Sequence, residues 1–147
     1  MILEDFMAKE LALATAAAFT GAAVYVNIAE QPARLELDDR ALLAQWKPSY
    51  AGGFAMQASL ALASALFGLL AFWLTRDWRW LAGSMLIFAA WPYTLVVIFP
   101  VNKRLEATPP DRANAETRRL IETWGRLHAG RSALGAAATL VYLWAMA

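Results

Sequence analysis

The chain has 147 residues, 60% of them hydrophobic and only 17% charged, with a formal net charge of +1 and a mean hydropathy of +0.42. It contains no cysteine and a single histidine, which excludes disulfides, cysteine-ligated zinc, iron–sulfur clusters and multi-histidine metal sites within one chain. The near-neutral charge leaves no electrostatic footprint for nucleic acid, and the apolar excess is that of a polytopic membrane protein.

The N-terminus, MILEDFMAKE, sets Glu4, Asp5 and Glu10 against Lys9. A signal peptide wants a basic start, so the first apolar segment is read as a retained helix. Residues 11–29, 49–75 and 80–102 carry no charge, and residues 127–147 carry only His128 and Arg131. A spanning helix needs about 20 mostly apolar residues. These segments predict one all-α domain over residues 1–147, an integral membrane four-helix bundle with up-down connections.

The connections differ. Residues 30–48 read as a charged loop, RDWR (residues 76–79) as a minimal turn, and residues 103–126 as a longer loop. In that loop Thr108-Pro109-Pro110-Asp111 stops one segment, and residues 113–126 predict a short amphipathic helix with Leu120, Ile121 and Trp124 on one face. Trp73, Trp78 and Trp80 bracket the turn, and Trp46 and Trp124 stand before the second and fourth spans, as interfacial belts do; Trp91 falls mid-span. Small residues recur four apart at Ala14, Ala18 and Ala22, at Ser59 and Ala63 (then Phe67), and at Ala129, Ala133 and Ala137. These are expected to be helix-contact faces.

Arg34, Arg40, Lys47, Lys103, Arg104, Arg112, Arg118, Arg119 and Arg126 fall in the first and third connections, against Lys9, Arg76 and Arg79 on the opposite side. The positive-inside rule then places those connections in the cytoplasm and both termini outside. The Ala- and Arg-rich chain reads as a bacterial inner-membrane protein.

Two phrases are written twice. Tyr25 and Tyr93 are each followed, after six intervening residues, by a proline, Pro32 and Pro100, and each half then reaches Arg-Leu-Glu, at Arg34 and Arg104. WKPSYAGG (from Trp46) echoes WGRLHAGR (from Trp124). The halves therefore read as two helical-hairpin repeats related by an axis along the membrane normal. Positions polar in one half and apolar in the other mark function rather than scaffold. Asn27 and Glu30 match Leu95 and Ile98; Tyr50 matches His128, Gly53 matches Arg131 and Gln57 matches Gly135.

These polar residues lie toward one side of the membrane. Asn27, Glu30 and Arg34 share a helix face, as do Tyr50, Gly53 and Gln57, and Trp124, His128, Arg131 and Gly135. Thr94 and Asn102 lie at the same depth. Arg131 stands about one turn inside the span, and an intramembrane arginine is a functional candidate. Glu30 is its expected bidentate partner, in a role that is structural, functional or both. His128 suits a base or hydrogen-bonding role before a structural one. A metal or haem ligand ranks last, since no second ligand accompanies it. Pro92 predicts a kink, by removing the bond to the Phe88 carbonyl.

The stretches GAAVYVNIAEQPAR, WKPSYAGG, WPYTLVVIFPVNKRL and WGRLHAGR together resemble the anthrone oxygenase-like family of small four-helix membrane proteins. The likeness runs from about residue 21 to residue 131. Fungal polyketide members of that family convert anthrones to anthraquinones with dioxygen, without a metal or organic cofactor. The resemblance places Asn27, Glu30, Trp46, Tyr50, Trp91, Thr94, Asn102, Trp124, His128 and Arg131 on motif positions. The chain carries Glu30-Gln31-Pro32 where the resemblance leads one to expect histidine or a similar residue before the proline, a departure that bears on the substrate.

The implied chemistry needs a base, an oxyanion stabiliser and a flat apolar pocket. His128 is the candidate base; Arg131, Asn27 or Tyr50 the oxyanion stabiliser; Glu30 an orienter of Arg131 or His128. Trp46, Trp91, Tyr93 and Trp124, with Gln57, Thr94 and Asn102, are candidate substrate contacts. Expected partners are a hydrophobic small molecule, dioxygen and membrane lipid, with no cofactor, metal or nucleic acid and with homo-oligomerisation left open. The competing readings are a non-catalytic protein holding a lipid, quinone or partner subunit, and a small transporter. Four helices would give a transport path only in an oligomer.

Overall fold

A computed structural model describes residues 2–147, with side chains from Asp5 onward; the Glu4 side chain of the N-terminal charge pattern lies outside the described residues. The described residues are all-helical, without strands. Helix α1 (Ile2–Tyr25) runs through a π-helical turn (Val26–Glu30) into α2 (Gln31–Leu35). After three residues Asp38 caps α3 (Asp39–Thr75), its side chain accepting the Ala41 N–H at 3.0 Å. Arg76 ends α3 in the left-handed region (φ 61°) and Asp77 caps α4 (Trp78–Phe88). Helix α5 (Ala90–Tyr93), a second π turn (Thr94–Ile98) and α6 (Phe99–Ala107) complete the third rod. A 3₁₀ turn (Pro110–Arg112) leads to Asn114, which closes a capping box on α7 (Ala115–Met146).

The first connection is far shorter than expected. Residues 30–48 are helical except for Glu36, Leu37 and Asp38, because charged residues here are good helix formers and Pro48 is accommodated inside α3. The expected amphipathic helix at 113–126 is not separate: it is the first part of α7, with no proline to stop it. The break at Ala89, just ahead of α5, falls where Pro92 was expected to bend the third helix.

The rods pack in a ring, α1 against α3 and α7, and α4 against α3 and α7. This is the neighbour order short connections impose. In α7 the buried residues Ile121, Trp124, His128, Arg131, Gly135, Ala138, Tyr142 and Ala145 alternate three and four apart, the 3.5-residue seam of knobs-into-holes packing. The stripe of Trp124, His128, Arg131 and Gly135 thus faces inward as read.

The small-residue faces do not. Ala14, Ala18, Ser59, Ala129 and Ala133 are exposed, and Ala22, Ala63, Phe67 and Ala137 half-buried. The contacts are made instead by Ala8, Ala12, Ala16, Ala61, Ala65 and Ala138, one or two positions away in an alanine-rich chain that offers several such faces. Close approach is enforced by glycine: a Cβ on Gly135 would lie 2.7 Å from Phe19 and 2.8 Å from the Thr20 hydroxyl. Gly135→Leu is expected to destabilise the bundle by about 3 kcal/mol, measured as a fall in thermal midpoint in detergent.

Three rods are long and apolar enough to cross a membrane: Asp5–Leu35, Asp39–Thr75 and Trp78–Ala107. Only 22%, 28% and 28% of their most apolar windows are buried inside the protein, so their apolar surface faces outward. Leu62, Leu66, Met85, Val96 and Leu140 are examples of exposed large residues. Such coverage is foreign to soluble monomers and consistent with an integral membrane protein. The expected fourth span is not in that set: α7 begins with a charged stretch and carries Arg131 within its apolar part. Trp73 and Trp78 are exposed at the turn, but Trp46, Trp80 and Trp124 are buried and belong to the core rather than to an interfacial belt.

Candidate functional site

The two π turns position the site. Proline at 32 and 100 has no N–H for the carbonyl four residues back. The preceding residues bond one further back instead, Gln31 N–H to the Val26 carbonyl and Phe99 N–H to the Thr94 carbonyl. The extra residue per turn rotates Asn27, Glu30 and Thr94 toward the bundle interior; such bulges recur at functional sites.

Between the rods lies a small pocket, lined by Val26, Glu30, Arg34, Ser49, Tyr50, Gly53, Phe54, Gln57, Thr94, Ile98, Asn102, Trp124, His128 and Arg131. His128 is 4% exposed, and its Nδ1 lies 3.1 Å from Asn27 Oδ1. The Asn27 amide is oriented by its own Nδ2, which donates to the Gly125 carbonyl at 2.8 Å. Its Oδ1 also accepts the Ser132 hydroxyl at 2.7 Å. Oδ1 can only accept, so Nδ1 carries the proton. In the neutral ring the lone pair is then on Nε2, which has no hydrogen-bond partner among the described residues.

Arg131 is 6% exposed. Its Nη1 donates to Thr94 Oγ1 at 3.1 Å, and that hydroxyl in turn donates to the Ala90 carbonyl at 2.7 Å. Its guanidinium stands 5.5 Å from the Phe19 ring, and its Nε is buried without a partner. The expected Glu30–Arg131 bridge is not formed. Glu30 pairs with Arg34, four residues on in its own helix, and accepts the Ser49 hydroxyl; the i,i+4 partner is nearer than any group on α7. Arg34 also donates to Ser49 Oγ at 2.9 Å and lies 5.6 Å over the Trp124 ring. The pair therefore cancels, and Arg131 is left as a cation with no carboxylate partner among the described residues.

Breaking the Arg34–Glu30 pair strands a buried guanidinium. Glu30→Ala is expected to destabilise by about 2 kcal/mol, below the roughly 3–5 kcal/mol of a fully buried pair because the Glu30 side chain is 22% exposed. Adding Arg34→Met should recover most of the loss, read as thermal midpoints of the single and double variants.

An aromatic train backs the pocket. Tyr50 stacks on Trp46 at 4.8 Å, Trp46 meets Trp124 edge-on at 5.8 Å, and Trp124 lies 5.0 Å from the His128 ring. The Tyr50 hydroxyl accepts Asn102 Nδ2 at 3.0 Å. Several lining groups keep a buried polar atom without a partner: Arg34 Nε and Nη1, Trp124 Nε1, Gln57 Oε1 and Asn102 Oδ1, besides Arg131 Nε. Native interiors rarely leave such atoms unpaired, so the pocket offers both donors and acceptors to a polar ligand. Among the described residues no three His, Asp or Glu side chains converge to hold a metal ion.

Of the residues singled out from sequence, Glu30, Tyr50, Gln57, Thr94, Asn102, Trp124, His128 and Arg131 line this pocket. Asn27 stands behind His128. Trp46 is fully buried and supports Tyr50 and Trp124 rather than facing the cavity. Trp91 lines a second, neighbouring pocket. Tyr93 lines neither pocket; its hydroxyl donates to the Leu127 carbonyl at 2.8 Å, tying the third rod to α7. Sequence reasoning missed Ser49, Phe54 and Ser132. Arg34 was placed on the Glu30 face, and its arginine four residues after a glutamate was the signal for the pair.

A helical bundle with outward apolar faces, three of its rods long and apolar enough to cross a membrane, encloses a polar pocket with a histidine and an unneutralised arginine, an arrangement consistent with an integral membrane protein that carries a candidate catalytic centre. The anthrone oxygenase family model matches residues 46–141, and the chain belongs to that family. Neither the curated proteins nor the solved structures contain a match to it.

Proposed function

We propose that the protein is a cofactor-independent membrane oxygenase acting on a hydrophobic anthrone-like or phenolic substrate. The observation that carries this reading is the Asn27–His128 contact, which leaves Nε2 as a base on the wall of the pocket. His128 Nε2 takes a proton from the methylene that lies across the central ring from the substrate carbonyl. The C–H electron pair moves into the ring system, and the enolate oxygen is stabilised by Arg131, with Tyr50 or the buried amides assisting.

Dioxygen then bonds to the same carbon and is reduced to a hydroperoxide, whose distal oxygen takes up a proton. Loss of the second methylene proton breaks the O–O bond and forms the new carbonyl. One anthrone and one dioxygen thus give one anthraquinone and one water. Glu30 holds Arg34 rather than the base; Trp124 and Phe54 give the substrate flat walls.

The same reading includes a fourth span in α7 and an origin by duplication. The two π turns fall on matching positions of the proposed repeats, Val26–Glu30 on Thr94–Ile98. Apart from Asn27, Leu95 and Gly135, the unequal positions all line the pocket. The excess of Lys and Arg near the α2–α3 and α6–α7 connections supports a cytoplasmic placement of that end, with the termini outside, in a bacterial inner membrane.

Oxygen uptake by the purified protein in detergent, with anthrone and corrected for autoxidation, tests the reading. Uptake equal to the anthraquinone formed supports it. Folded protein that gives no uptake above background with anthrone or related phenols overturns it.

A further inference from the structure

Two arginines and one glutamate line the polar pocket. Glu30 is paired with Arg34, so one positive charge is left over, on Arg131. That side chain is buried, and a buried charge is costly unless an opposite charge meets it. Its Nη1 is held by Thr94 Oγ1 at 3.1 Å. Its Nε is buried without a partner, and its Nη2 meets no acceptor among the described residues. Nε and Nη2 form one edge of the planar guanidinium, an edge that can grip two oxygens of a flat anion.

Two further lining groups are unengaged. The Tyr50 oxygen accepts Asn102 Nδ2 at 3.0 Å, which leaves the phenol proton free to be donated. His128 Nε2 carries a lone pair, because Nδ1 donates to Asn27 Oδ1 at 3.1 Å. The open set is thus a charged fork, a neutral donor and a neutral acceptor. The pocket has room for about three water molecules.

We infer that the pocket binds a small flat monoanion that carries one hydroxyl, a description bicarbonate meets. Its two unprotonated oxygens lie on the Nε–Nη2 edge of Arg131, and one of them accepts the Tyr50 hydroxyl. Its own hydroxyl donates to His128 Nε2. The anion neutralises the charge that Glu30 leaves uncovered. The hydroxyl sets the preference: nitrate has the same shape and charge but would turn an oxygen lone pair toward that of Nε2. Arg34 does not compete for the anion, since Glu30 and Ser49 engage it. These contacts do not depend on the oxygenase reading. Under that reading the anion takes the place of the enolate oxygen and competes with substrate.

Thermal midpoints of the purified protein in detergent, titrated with bicarbonate and with nitrate at one pH and ionic strength, test the site. Bicarbonate is expected to raise the wild-type midpoint by about 3–6 °C at about ten times its dissociation constant, and nitrate by less than about 1 °C. Arg131→Leu is expected to abolish the bicarbonate shift, and Arg131→Gln serves if that variant does not fold. A flat bicarbonate titration, an equal response to nitrate, or an equal response in the Arg131 variant overturns the inference. At the same concentration bicarbonate should raise the apparent KM for anthrone about tenfold and leave kcat unchanged. A midpoint shift without inhibition removes Arg131 as the enolate stabiliser and leaves the anion site standing. Oxidation by protein whose midpoint ignores bicarbonate overturns the anion site and leaves the oxygenase reading standing.

Discussion

His128→Ala lowers the turnover number for anthrone oxidation by about 10²–10⁴-fold, the range for loss of a positioned general base, and leaves the bundle folded. The fold survives because the ring's one hydrogen bond is to Asn27 Oδ1, and that oxygen keeps the Ser132 hydroxyl at 2.7 Å. No buried group is orphaned by the truncation, so the loss belongs to chemistry rather than to stability. His128→Gln fills similar space without a base of comparable strength and should be nearly as slow. Rates at saturating anthrone, with circular dichroism and thermal midpoints alongside, check both parts. A variant that is folded and fast removes His128 from the reaction.

Arg131→Leu separates activity from stability in opposite directions. Turnover falls by about 10²–10³-fold, as for loss of a donor to a developing oxyanion. Stability holds or rises, by up to about 4 kcal/mol, because replacing a buried ion with an apolar side chain of similar volume is often neutral or favourable. The structure allows this result because Arg131 has no carboxylate partner to strand, and Thr94 keeps its hydrogen bond to the Ala90 carbonyl at 2.7 Å. Arg131→Lys should not restore the rate: an ammonium cannot hold Thr94 and an oxyanion in one planar fork. Parallel measurement of turnover and thermal midpoint decides it. A variant that loses both in proportion would make Arg131 a structural strut.

The membrane class and helical fold were legible because long uncharged runs leave few alternatives. The α7 stripe was legible because Trp124, His128, Arg131 and Gly135 repeat at a helical period that any packed helix must turn inward. Which alanine face of α1 makes contact was not legible: Ala12 and Ala16 are buried where Ala14 and Ala18 were expected, and an alanine run offers no contrast between faces. The Arg34–Glu30 pair was obscured by reading residues 30–48 as loop. Once the helix continues through Pro32 the i,i+4 spacing makes the pair, and Arg131 loses its expected partner. The π turns also escaped, although Pro32 and Pro100 are their cause. Ser132 gave no signal, since its role depends on Asn27, 105 residues away in sequence.

Exchange of the anthrone methylene protons with solvent deuterium, followed by NMR under strictly anaerobic conditions, tests most directly whether His128 Nε2 is the base. Without oxygen the cycle stops at the enolate, so proton removal is seen alone. The expected result is rapid exchange with wild-type protein, near-background exchange with His128→Ala, and an intermediate rate with Asn27→Ala, whose histidine has lost its orienting contact. Equal exchange in the wild-type and His128→Ala proteins, or oxygen uptake by wild-type protein that shows no anaerobic exchange, would contradict it.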